Sequence, residues 1–162
     1  YSPEREALET AGGIARALPL LGNGPFLVTA GDVFTAFDPG RALTIAAQMR
    51  AADLSAWCVM IANPTHNPGG DFALRDGLLR LDGAPRLTFS GIGVYRADLF
   101  AGIASGAKAP LAPLLRDAAA RARAGAEYHG GRWTDVGTPQ RLAELDAQLT
   151  LEARLRPAVT GT

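Results

Sequence analysis

The chain is short of several things, and each shortage removes a class of protein. It has a single cysteine, Cys58. A lone thiol cannot close an internal disulfide, so a reducing, cytoplasmic compartment is the simpler expectation. Cys58 lies in the apolar run Ala56–Ile61, where a buried structural thiol is expected rather than a nucleophile. There is one lysine, Lys108, and the 16 cationic side chains are matched by 16 anionic ones. That balance argues against a general nucleic-acid binder, which carries a basic excess. A nucleotide remains open as a small ligand, because its site needs only a few placed groups and often a metal. No apolar run approaches the ~20 residues of a membrane-spanning helix, so no membrane partner is expected. No secretory signal pattern is visible. The two histidines, His66 and His129, show no zinc-site spacing and are expected to be exposed or locally hydrogen-bonded.

What is present is an alternation of helical and strand patterns, punctuated by 19 glycines and 11 prolines. The spacing of Ile14, Ala17, Leu18 and Leu21 predicts a helix, with Thr10 as its N-cap and Pro19 ending it early. Phe26 to Ala30 reads as a buried strand. Asp38-Pro39 opens a second helix, with Asp38 as cap. Ser55 to Ala62 is a second buried strand, followed by a Pro/Gly-rich loop that contains His66. Asp76-Gly77 is a hairpin turn between two short strands. Leu87 to Tyr95 is a longer strand, Leu111 to Arg123 a helix, and Ala126 to Val136 a strand-turn-strand. Thr138 caps a terminal helix with Pro139 at its first position. This order predicts an α/β layer fold with a mainly parallel central sheet. Residues 1–150 are expected to be the C-terminal two-thirds of such a domain, and 151–162 a helix end and loose tail. Tyr1-Ser2-Pro3-Glu4 reads like a strand end running into a loop, so further sequence is expected before it.

In open α/β sheets ligands gather at the C-terminal ends of the strands. Asp32, directly after the first strand, occupies such a position, and so does Asp135, ahead of the last helix. Either can also be read as a turn or capping residue, the second favoured by the helix dipole. Two carboxylates that face one cleft repel each other unless a cation lies between them. Magnesium suits that place, since it takes one or two carboxylates and completes its octahedron with water and substrate phosphates. Thr10-Ala11-Gly12-Gly13 opens a helix whose free amides suit an anion or the polar edge of a base; a purely structural glycine pair is the competing reading. The run Arg116, Arg121, Arg123 is most simply the solvated face of a helix.

Several segments occur together and in order: Leu8-Glu9-Thr10-Ala11-Gly12-Gly13-Ile14, Gly31-Asp32-Val33, Asn63-Pro64, Gly70-Asp71-Phe72, Thr88-Phe89-Ser90-Gly91-Ile92, Leu111-Ala112-Pro113-Leu114-Leu115-Arg116 and Trp133-Thr134-Asp135-Val136-Gly137-Thr138. Together they resemble the sugar-1-phosphate nucleotidyltransferase family, up to about Leu149. The likeness is greatest to the branch that acts on N-acetylmuramate 1-phosphate in peptidoglycan recycling. The resemblance implies a Rossmann-like fold and the conversion of UTP and a sugar 1-phosphate to a UDP-sugar and pyrophosphate. It implies magnesium at Asp32 and Asp135, a nucleobase near Thr10, Ala11, Gly12 and Gly13, and a sugar lined by Asn63, Asp71, Ser90 and Gly91. A glucose or mannose 1-phosphate specificity, or a non-catalytic nucleotide-sugar-binding module, are the alternatives. The family's Gly-rich activating loop, with its arginine and Pro-Lys pair, is not in this sequence, so the chain by itself is expected to be a poor enzyme or none. Relatives commonly carry Asn where Ala30 stands, which removes an amide that could hydrogen-bond substrate.

Overall fold

A computed structural model describes residues 1–4 and 6–155. Its elements, in chain order, are α1 (Glu9–Leu21), β1 (Phe26–Thr29), β2 (Val33–Thr35), α2 (Arg41–Ala51), β3 (Ala56–Ile61), β4 (Phe72–Arg75), β5 (Leu78–Arg80), β6 (Arg86–Tyr95), a 3-10 turn (Ala97–Phe100), α3 (Leu111–Ala120), β7 (Ala124–Tyr128), β8 (Trp133–Asp135) and α4 (Pro139–Leu155). Six strands form one sheet in the order β1-β6-β3-β7-β5-β4, while β2 and β8 form a separate antiparallel ribbon.

The centre of the sheet follows from the apolar run. Every residue of β3 is buried, as expected of a strand covered on both faces. Its side chains alternate between two cores. Ala56, Cys58 and Met60 join Ala11 and Ile14 of α1 and Leu115, Ala118 and Ala119 of α3. Trp57 turns the other way and packs with Ile45 and Met49 of α2. The sheet is therefore sandwiched, with α1 and α3 on one face and α2 on the other. Burial raises the Cys58 thiol pKa well above its ordinary range, so the buried structural thiol is what the fold contains.

The α/β architecture holds, but the sheet is mixed. Only β3 and β7 are hydrogen-bonded in parallel. β6 lies antiparallel between β1 and β3, so β1, β3 and β7 share a direction although β1 and β3 never touch as neighbours. Local periodicity carries no information about this insertion, because the partner strand is distant in sequence. The insertion is irregular: Cys58 pairs with Gly93 but Met60 pairs with Phe89. Four steps of β6 thus face two of β3, and the excess bulges at Ser90-Gly91, where Gly91 has φ +79°.

Other expectations are corrected at the level of single residues. Thr10 does not cap α1; Leu8 stands at that position without a side-chain bond. Pro19 lies inside α1, which continues two residues further to Leu21. Its missing N–H removes one bond from the last turn only. Asp38 accepts from the Gly40 amide at 2.9 Å, one turn before α2 proper. β7 and β8 do not pair with each other, since β8 leaves for β2. The loose tail expected after Arg156 lies outside the described residues.

Candidate functional site

The shared direction of β1, β3 and β7 brings their C-terminal ends to one side of the sheet. Asp32 lies in the turn between β1 and β2. Asp135 ends β8, opposite Val33 in the β2–β8 ribbon. The ribbon extends by one bond, from the Val136 amide to the Asp32 carbonyl at 2.8 Å. Residues a hundred positions apart are therefore placed side by side by backbone pairing. A methyl group at Gly137 would meet Asp135 Oδ1 at 2.9 Å and Asp32 Oδ2 at 3.0 Å. The two carboxylates thus face a gap that stays open because residue 137 has no side chain.

The two acids differ in surroundings. Asp32 is exposed, and among the described residues its carboxylate has no hydrogen-bond or ion-pair partner. Asp135 is engaged on both oxygens. Oδ1 accepts from the Gly137 amide at 2.6 Å, the capping-type bond that its position suggested. Oδ2 accepts from Arg141 Nη1 at 2.9 Å and lies 3.6 Å from His66 Nε2. The Asp135 and Arg141 side chains retain 24% and 29% of their exposure, so this ion pair is open to water and not sealed in the core. A pair that keeps this much contact with water contributes on the order of 1 kcal/mol, too little to bar a divalent ion.

Asp32, Asp135, His66, Asn67 and Trp133 line a cleft of about 280 Å³ together with the β6 bulge. Ser90 and Gly91 form the bulge itself. Ser90 is buried, its hydroxyl accepts from the Ile92 amide at 3.2 Å, and its carbonyl accepts from Trp133 Nε1 at 2.9 Å. That last bond ties β8, and with it Asp135, to the main sheet. Asp71 also lines the cleft, with its carboxylate accepting from Asn67 Nδ2 at 3.1 Å and the Phe89 amide at 2.8 Å. A second cleft of about 780 Å³, lined by Thr10, Tyr95, Leu111 and Arg116 among others, shares Ala30, Asp71, Phe89 and Gly91 with the first. The two clefts adjoin along those residues.

Some sequence candidates serve the scaffold. Asn63 does not line either cleft. Its Nδ2 donates to the Pro68 and Arg86 carbonyls, each at 3.1 Å, and its Oδ1 accepts from Thr88 at 3.0 Å, so it pins the loop. The amides of Ala11 and Gly12 are not free; both donate to the Ala109 carbonyl, at 2.9 and 3.1 Å. Gly12 is a contact glycine, since a methyl there would collide with the Ala107 carbonyl. Gly13 abuts the Glu4 carboxylate. Of this segment, Thr10 reaches the larger cleft.

His66, Asn67, Trp133 and Arg141 were not among the expected site residues. His66 and Asn67 follow the C-terminal end of β3, a strand-end position that marks them as Asp32 is marked. Arg141 sits in the first turn of α4, behind the Asp-Val-Gly-Thr-Pro segment.

The donor set suits magnesium: hard carboxylate oxygens across a gap that a Cβ would fill. Among the described residues no group of three or more His, Cys, Asp or Glu is gathered as a metal site. Two carboxylates with substrate phosphates and water satisfy this ion without one. No helix is long and apolar enough to cross a membrane among the described residues.

Known proteins share this architecture. A solved UDP-glucose pyrophosphorylase bound to UDP-glucose superposes with a TM-score of 0.68 over 92% of this chain and 64% of that one, at 15% identity. That likeness shows a shared fold. No protein-family model matches the chain. Two curated proteins, however, align along nearly all of it, both called N-acetylmuramate alpha-1-phosphate uridylyltransferase. The one from Neisseria meningitidis serogroup B is 48% identical over 151 residues, 91% of this chain and 65% of that protein. The one from Caulobacter vibrioides is 34% identical over 168 aligned positions, 97% of this chain and 66% of that protein. The chain thus spans slightly less than two thirds of these relatives. It is similar over nearly its whole length to the N-acetylmuramate 1-phosphate uridylyltransferases, its curated relatives.

Proposed function

We propose that this chain is the metal- and sugar-holding part of an enzyme that transfers a uridylyl group from UTP to N-acetylmuramate 1-phosphate, releasing pyrophosphate. The observation that carries the reading is the convergence of Asp32 and Asp135 on the gap at Gly137. In such a transfer a sugar phosphate oxygen attacks the α-phosphorus in line, and the protein's work is placement and charge neutralisation. Asp32 and Asp135 would hold a magnesium ion, which when bound would supply that charge neutralisation. Asp32 is free to accept it. Asp135 is held at the correct height by the Gly137 amide and by Trp133's bond to the bulge. Arg141 offers a second positive charge beside the phosphates once it is no longer needed by Asp135. The β6 bulge and Asp71 form the floor on which the sugar rests, and Thr10 lies on the side assigned to the nucleobase.

The test is pyrophosphate release by the protein that contains this chain, with UTP, magnesium and a panel of sugar 1-phosphates. Turnover of N-acetylmuramate 1-phosphate above glucose or mannose 1-phosphate supports the reading. Turnover of a hexose phosphate alone replaces it with a hexose-1-phosphate nucleotidyltransferase. A second reading, a non-catalytic nucleotide-sugar-binding module, is favoured by Ala30 and by the Arg141 guanidinium held on Asp135. Binding of a UDP-sugar without any turnover, in the protein that contains this chain, would decide for it.

A further inference from the structure

Arg116 is out of keeping with its neighbours in sequence. Arg121 is bound to Asp117, and Arg123 to Asp53 and Asp98, which is the solvated charge network expected of a helix surface. Arg116, by contrast, is exposed and has no hydrogen-bond or ion-pair partner among the described residues. It lies on α3 next to Leu115, and with Leu111, Ala112 and Leu115 it lines the larger cleft. Among the described residues it is the one cationic side chain lining that cleft. The acidic residues there do not neutralise it. Asp71 is occupied by Asn67 and the Phe89 amide, and no ion pair joins Arg116 to Glu9.

We propose that Arg116 determines specificity by binding a carboxylate on the sugar of the substrate. This rests on the function proposed above and adds the group that recognises the sugar. A ligand whose phosphate lies between Asp32 and Asp135 extends its body across Ala30, Phe89 and Gly91 into the larger cleft, because the two clefts share those residues. N-acetylmuramate differs from N-acetylglucosamine by a lactyl ether ending in a carboxylate. An unpaired guanidinium is the side chain whose fork matches a carboxylate with two parallel hydrogen bonds. A neutral sugar of the same ring leaves that fork unused. Discrimination thus arises at a site remote from the phosphate chemistry.

The experiment titrates UDP-N-acetylmuramate and UDP-N-acetylglucosamine into the protein containing this chain, as wild type, Arg116→Met and Arg116→Lys, with folding checked by circular dichroism. Wild type should favour the muramyl ligand. Arg116→Met should weaken it about 10- to 100-fold, as for loss of a charge-assisted hydrogen-bond pair, and leave the glucosamine ligand within about twofold. Arg116→Lys should recover part of the preference. Equal weakening of both ligands, or of neither, overturns the proposal. Turnover of wild type with UTP and N-acetylmuramate 1-phosphate separates the two claims. If wild type turns that substrate over and the preference still does not move, Arg116 alone is misassigned; if wild type neither turns it over nor binds the muramyl ligand, both fail.

Discussion

Asp135 and Arg141 form an ion pair at 2.9 Å, while the Asp32 carboxylate, across the gap at Gly137, has no partner among the described residues. The pair is asymmetric, and the two aspartates should respond differently to substitution. Asp32→Asn removes a charge that nothing in the fold uses, so stability should stay within about 0.5 kcal/mol. Asp135→Asn also breaks the bond to Arg141, at a cost of about 0–1 kcal/mol. Magnesium-dependent turnover of the protein containing this chain should fall about 10²- to 10³-fold in each, on the scale of losing one preorganised charge-stabilising group. Turnover measured beside thermal unfolding checks both parts. Full activity in either variant removes that carboxylate from the site.

Gly137→Ala tests the gap itself. The added methyl would lie 2.9 Å from Asp135 Oδ1 and 3.0 Å from Asp32 Oδ2, closer than carbon and oxygen tolerate. The carboxylates must part, or the turn must shift. Small displacements of reacting groups cost about 10²-fold in rate, so turnover should fall by that order. The magnesium concentration for half-maximal rate should rise as well. An unchanged magnesium dependence would mean that the ion is held elsewhere.

The outlines of this fold were legible because they are local. Asp76 and Gly77 both have positive φ, 54° and 72°, the two-residue hairpin turn that their identity announces. β3 was visible as an unbroken apolar run, and Thr138 accepts from the Arg141 amide at 3.3 Å as a cap should. The rest depends on distant partners. Val33–Thr35 is too short to register as a strand until β8 lies beside it. The mixed sheet arises because β6 inserts between β1 and β3, and no period within β6 reveals this. His66 looked inert in its loop, since its nearness to Asp135 and Arg141 exists only after β8 and α4 return to the end of β3. Gly12 shows which of two open readings the packing favours. The glycine pair at the helix start allowed a ligand contact or a structural role, and the backbone at Ala107 and Ala109 fills the space beside Gly12.

Trp133→Phe should separate positioning from stability. The indole N–H donates to the Ser90 carbonyl at 2.9 Å, and Phe keeps the ring's apolar contacts but leaves that carbonyl without its donor. The loss should cost about 1 kcal/mol, lowering the melting midpoint by about 2–4 °C for a chain of this size. Since β8 carries Asp135, turnover at a temperature well below melting should drop by more than the fraction unfolded explains. A fall in melting midpoint with unchanged turnover would show that the β2–β8 ribbon holds Asp135 unaided.

Alkaline stability should report the buried pair Cys58 and Tyr95. Burial raises both above their ordinary values of 9.0 and 10.0, and for Tyr95 the charge of Cys58 adds to the effect of burial. Both groups are neutral when protonated, and the folded core retains those protons. As pH rises past 9.0 the unfolded chain loses its thiol proton first, so it binds fewer protons than the folded chain, and stability falls with pH. Below that point the contribution is fully present. Urea unfolding between pH 7 and 11 should therefore show a flat region and then a decline approaching about 1.4 kcal/mol per pH unit for each group. Cys58→Val keeps an apolar side chain of similar size and removes the first titration, so its decline should begin about one pH unit later, when Tyr95 alone remains. An identical onset in wild type and variant would mean that the thiol is reached by solvent before the core opens.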